Sequence, residues 1–138
     1  MFGAMRPAVL ALVLVFFGCS EKQPIVPKKP NEELIVGDYE RHQPDGEQAI
    51  RFSPDGTFVM AKNKGELDKA QPIAAGEFNL QGDKLTFSNR RGACTESGGD
   101  KEGTYKVVIS KIGIRFAKVT DSCQRRSTMD GQTWWRVK

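Results

Sequence analysis

The side chains with chemical potential are few and scattered. His42 is the single histidine, and a lone imidazole serves as a general base only beside a nucleophile that it can deprotonate. No serine or cysteine motif supplies that nucleophile. Asp38, Glu40, Glu47, Asp55 and Asp68 would form a hydrolytic carboxylate pair only through a tertiary arrangement that spacing does not disclose. They read instead as solvent-facing acids. Gly98-Gly99 is followed by no lysine-bearing helix start, no Cys or His pair has zinc spacing, and the acids lack the order of a calcium loop. The expectation is a non-enzyme that uses no metal and no cofactor. The chain holds 21 Lys and Arg against 17 Asp and Glu, intermixed to a net charge of +4, so it lacks the basic stripe of a nucleic-acid partner.

The elements that carry these residues are short strands. From Leu34 to Lys138, apolar and polar residues alternate in blocks separated by turn residues, the pattern of antiparallel strands with one wet face. Eight blocks fall near 35–42, 47–53, 56–61, 73–80, 83–88, 103–110, 113–119 and 132–138. Gly65 to Ala70 offers one helical turn at most. Pro44-Asp45-Gly46 and Pro54-Asp55-Gly56 each join a proline that fixes φ to a glycine free to take positive φ, which makes hairpin corners. Gln81-Gly82-Asp83 and Lys111-Ile112-Gly113 supply two more.

Neighbouring strand residues point to opposite faces, so parity separates core from surface. One parity collects Tyr39, Ile50, Phe52, Phe58, Met60, Phe78, Leu80, Leu85, Phe87, Tyr105, Val107, Ile109, Ile114, Phe116, Trp135 and Val137. The other collects Asp38, Glu40, Arg51, Lys84, Lys106, Arg115 and Arg136. Burying each large apolar side chain is favourable by about 1.5 to 3 kcal/mol, enough together to oppose the chain entropy of one domain. The 138 residues fit one such domain. The expected fold is all-β, an antiparallel eight-stranded up-and-down barrel, with a β-sandwich as the alternative because periodicity does not report closure.

The N-terminal segment has a different composition. Arg6 precedes the apolar run from Ala8 to Phe17, too short for a membrane span of about 20 residues but suited to a signal-peptide core. The sequence Phe16-Phe17-Gly18-Cys19 resembles the lipobox of bacterial lipoproteins, with Phe16 where Leu, Val or Ile is usual. The resemblance implies residues 1–18 as a signal peptide and Cys19 as the acylated first mature residue, carrying palmitate-type chains into a membrane leaflet at about 0.8 kcal/mol per buried methylene. Ser20, where Asp would signal retention, resembles the sorting signal for the outer membrane of diderm bacteria. Residues 19–33, with prolines at 24, 27 and 30, then read as a disordered or extended tether reaching roughly 40 Å, ahead of a domain spanning 34–138.

Gly37-Asp38-Tyr39 at the start of that domain, Gly103-Thr104-Tyr105 after a cysteine loop, Cys123 followed by Arg126, and the closing Trp134-Trp135-Arg136 are together similar to bacterial lipocalin-like (calycin) domains. Tyr39 stands where lipocalins usually carry Trp in Gly-x-Trp. That departure means the classical lipocalin ligands do not carry over to this chain; the expectation is a lipid-anchored envelope protein, facing the periplasm or the surface, whose barrel interior receives a small apolar ligand among Tyr39, Phe52, Phe58, Phe78, Phe87, Tyr105, Phe116 and Trp135. A barrel filled by its own side chains is the competing expectation. It would leave a surface module that contacts an envelope protein or glycan, as an inhibitor or assembly factor.

If Cys19 is acylated, Cys94 and Cys123 remain as one pair outside the reducing cytoplasm. A disulfide closing that loop stabilises by about 3.5 kcal/mol in the chain-entropy model. It would also draw Arg90 and Arg91 towards Arg125 and Arg126. These four read either as solvated loop charges or as a cationic rim for an anionic partner.

Overall fold

The computed structural model describes, apart from Gly3, residues 29–44, 46–69, 71–95 and 102–138. The signal-peptide, lipidation and most of the tether assignments therefore lie outside the described residues. A short helix α1 (Asn31–Leu34) leads into strands β1 (Gly37–Gln43), β2 (Gly46–Phe52), β3 (Thr57–Ala61), β4 (Ala74–Gln81), β5 (Lys84–Gly92), β6 (Glu102–Ile109) and β7 (Gly113–Asp121). Helix α2 (Gln124–Ser127) and strand β8 (Thr133–Arg136) follow. Each strand pairs antiparallel with the next, and β8 returns to β1 through Tyr39↔Arg136 and Glu40↔Trp135. The molecule is a closed eight-stranded up-and-down barrel, and closure leaves no edge to cap.

The hairpin chemistry read from sequence sits at the turns. Asp55 accepts from the backbone N–H of Thr57 at 3.0 Å and from its hydroxyl at 2.6 Å, while Gly56 takes φ +85°, a conformation that a Cβ would strain. Gly82 does the same between β4 and β5 at φ +62°. On β4, Gly76 meets a register shift opposite Arg90, and a Cβ there would strike the Ser88 carbonyl. The glycine is what lets the bulge form.

The expected interior is buried on seven strands: Tyr39, Ile50, Phe52, Phe58, Leu80, Leu85, Phe87, Tyr105, Val107, Ile109, Ile114 and Phe116. The eighth strand corrects the reading. Trp134 is fully buried and Trp135 is half-exposed on the outside, the reverse of the expected parity, and Val137 lies beyond the strand. A one-residue slip flips every side chain, so Arg136 falls on the inner parity. It is tolerated there because its guanidinium stacks over the Tyr39 ring at 4.8 Å and donates to the carbonyls of Leu34, Val36 and Ser110.

That arginine closes one end of the barrel. Ile35 is fully buried beneath the strands, and the Tyr39 hydroxyl donates to its carbonyl at 2.9 Å. Burial pushes the Tyr39 hydroxyl up to about 12. Asn31 and Glu32 tie α1 to the β4–β5 turn through the Gly82 carbonyl and N–H. Asn31, Glu32 and Glu33 thus lie in α1, which these contacts seat at the closed end of the barrel.

Candidate functional site

The two ends of the barrel differ. The middle and the closed end are filled by aromatic rings in edge-on contact: Phe87 lies 5.1 Å from Phe58 and 5.7 Å from Tyr105, Phe52 lies 5.0 Å from Phe78, and Phe116 lies 6.3 Å from Trp134. Such pairs add about 0.5 to 1.5 kcal/mol each beyond their buried area. Above Phe87 the packing stops. A cavity of about 380 Å³ opens there, between the ends of β1–β5 and the segment containing α2.

Phe58, Met60, Ile73, Ala74, Phe87 and Met129 give this cavity its apolar surface, and Arg41, Gln43, Gln48, Asn89, Arg125 and Gln132 supply polar groups. An apolar recess with a few convergent polar side chains is the usual form of a small-molecule site. Parity places the polar members. Arg41 follows Tyr39 by two positions on β1, Gln48 precedes Ile50 by two on β2, and Asn89 follows Phe87 by two on β5, so all three point inward at the mouth. Arg41 Nε donates to Gln48 Oε1 at 3.0 Å, and its guanidinium lies 5.7 Å from the Trp134 ring centroid. Asn89 donates to the Ala93 carbonyl at 2.8 Å, while its own buried carboxamide oxygen has no partner among the described residues.

The wall on the α2 side is held by a buried network. Asp121, at the end of β7, accepts from Arg126 Nε at 2.7 Å and Nη2 at 2.8 Å, from the Tyr105 hydroxyl, and from the Cys123 N–H at 2.9 Å. Tyr105 also donates to the Arg126 carbonyl at 3.0 Å. Burial alone would raise the Asp121 carboxyl, but the hydrogen bonds from Arg126, Tyr105 and Cys123 outweigh it and hold the carboxyl below its ordinary range. Burial, then the neighbouring carboxylate, raise Tyr105 far above a free phenol. Cys94 and Cys123 form the disulfide, with Cα atoms 5.9 Å apart, fastening the end of β5 to the start of α2.

Of the eight aromatic residues expected to meet a ligand, Phe58 and Phe87 line the cavity. Tyr39, Phe52, Tyr105 and Phe116 are packed in the filled part, Phe78 packs against that core, and Trp135 is outside. The four rim arginines also separate. Arg126 is buried against Asp121, which removes it from the rim because a buried guanidinium needs that counter-charge. Arg90 is exposed and pairs with Glu77 at 3.1 Å, and Arg91 and Arg125 are exposed. His42 stands outside the barrel, 3.1 Å from Glu47 and 3.5 Å from Glu40. Sequence reasoning missed Arg41, although the alternation Tyr39-Glu40-Arg41 already put it on the inner parity. No family model, curated protein or solved structure matches the chain.

Proposed function

We propose that this chain is a lipid-anchored envelope protein whose lipocalin-like barrel binds a small, largely apolar ligand without catalysing its conversion. The observation that carries the reading is the cavity of about 380 Å³ over Phe87, with an apolar lining and polar side chains at its mouth. Its volume falls in the lower part of the range that small-molecule sites occupy. The packed aromatic half beneath it keeps the scaffold rigid, as a preformed site requires. The lipobox-like Phe16-Phe17-Gly18-Cys19 supports anchoring through an acylated Cys19, and Ser20 supports the outer membrane as destination.

A second reading, an interaction module for an envelope protein or glycan, is favoured by the exposed Arg90 and Arg91 at the end of β5 and the exposed Arg125 on α2, two elements that the Cys94–Cys123 bridge joins. Native mass spectrometry of the full chain released gently from membranes separates the two. A retained small mass is the result expected for the carrier. A bare chain that instead crosslinks to an envelope protein would favour the module. Loss of labelled palmitate from Cys19→Ser tests the anchor, and incorporation that persists in that variant would refute it.

A further inference from the structure

We infer that the ligand of the mouth cavity is an anionic amphiphile, a monocarboxylate with an apolar tail, and that Arg41 is the residue that pairs with its head. The inference rests on the reading of the cavity as a ligand site and names the chemistry that the site selects.

Among the described residues, three guanidinium groups lie against the barrel interior, and two are accounted for. Arg136 is committed to carbonyls at the closed end, and Arg126 to Asp121. Arg41 is different. It is 8% exposed, its only hydrogen bond among the described residues runs from Nε to the neutral Gln48 side chain, and no described Asp or Glu lies within ion-pair distance of it. Nη1 and Nη2 are thus left to the cavity.

A buried cation without a counter-charge is unfavourable unless an anion or water compensates it. The cavity's own described lining contains arginines but no Asp or Glu. A second cation, Arg125, stands exposed on the same lining. An anion would therefore enter a cationic mouth, and a carboxylate suits the planar donor edge of a guanidinium whose Nε is already occupied. Trp134, under the Arg41 guanidinium at 5.7 Å, limits how far that group can swing. Phe58, Met60, Phe87 and Met129 offer the remaining surface to an alkyl tail. A neutral lipid would leave Arg41 without compensation, and a cationic one would add repulsion.

The test is isothermal titration of the full chain in maltoside micelles with decanoate, 1-decanol and decyltrimethylammonium, each corrected against protein-free micelles. Decanoate is expected to bind at least about tenfold more tightly than decanol, and the ammonium probe not measurably. Arg41→Gln should weaken decanoate about 10- to 100-fold, the range for loss of a charged hydrogen-bonded pair, and leave decanol within about twofold. Arg41→Lys should recover part of the loss because it restores the charge without the fork. If Arg41→Gln does not fold, the ranking of the three probes on the unmodified chain decides. Equal affinity for decanoate and decanol, or unchanged decanoate affinity in a folded Arg41→Gln, overturns the anionic head while leaving the cavity as a ligand site. Failure of all three probes to bind overturns the cavity reading itself.

Discussion

Replacing Asp121 by Asn isolates the charge at the centre of the buried network. The asparagine keeps the shape and one acceptor oxygen, so the Cys123 N–H at 2.9 Å can still be satisfied. The lost component is the carboxylate charge facing Arg126, across contacts of 2.7 and 2.8 Å with both side chains almost wholly buried. Breaking such a pair from one side costs about 3 to 5 kcal/mol, because the remaining charge stays desolvated. At roughly 4 °C per kcal/mol for a domain of this size, the melting temperature should fall by about 12 to 20 °C. Adding Arg126→Met removes the stranded charge, and the Tyr105 hydroxyl retains the residue-126 carbonyl as acceptor, so the double variant should regain more than half of the loss. Circular dichroism melts of the disulfide-intact chain supply both numbers.

The pH dependence has a fixed sign. The folded Asp121 carboxyl lies below its ordinary value of 3.8, so its contribution is present above that value and is lost as pH falls through the depressed one. The single variant lacks this acid-sensitive part. A single variant within about 1 kcal/mol of the unmodified chain, or a double variant no more stable than the single, would refute the reasoning.

Two further predictions concern the ends of the barrel. Converting Cys94 and Cys123 to Ser should lower stability by about 3.5 kcal/mol, read by urea denaturation, and an unchanged midpoint would show that the bridge contributes nothing. Tyr39→Phe should cost about 1 kcal/mol at pH 7 through loss of the bond to the Ile35 carbonyl. Because the folded hydroxyl is raised from 10.0 to about 12, the protonated phenol's advantage is full below pH 10 and disappears as pH rises towards 12, an effect of about 2 to 3 kcal/mol. The variant should therefore lose less stability over that interval; parallel alkaline limbs would contradict it.

The barrel was legible because its signals are local. Proline, aspartate and glycine at the hairpins fix where the chain reverses, and two-residue alternation fixes which way Phe52, Phe87 or Phe116 points. The last strand misled because Trp134 and Trp135 are adjacent: either parity buries a tryptophan, and sending the charged Arg136 outward broke the tie wrongly. Only the tertiary partners of Arg136, the Tyr39 ring and three carbonyls, make its inward place favourable.

The candidate site was less legible for a related reason. Its surface includes Ala93 and Met129, which lie outside the regular strands, where periodicity carries no information. Arg126 sits one residue from Arg125 on a helix of four residues, yet one is buried in an ion pair and the other exposed, a difference set by Asp121 and not by sequence spacing. The height at which ring packing ends above Phe87 depends on how eight inward side-chain rows stack. A single row cannot disclose it.

The most direct test of the account is methyl-selective NMR of the full chain during titration with decanoate. Shifts should move for the Met60, Ile73 and Met129 methyls, which line the cavity, and stay fixed for Leu85 and Ile114 in the packed interior. Perturbation confined to surface methyls such as Val108 or Ile112, which stand exposed outside the barrel, would contradict a ligand held in the mouth.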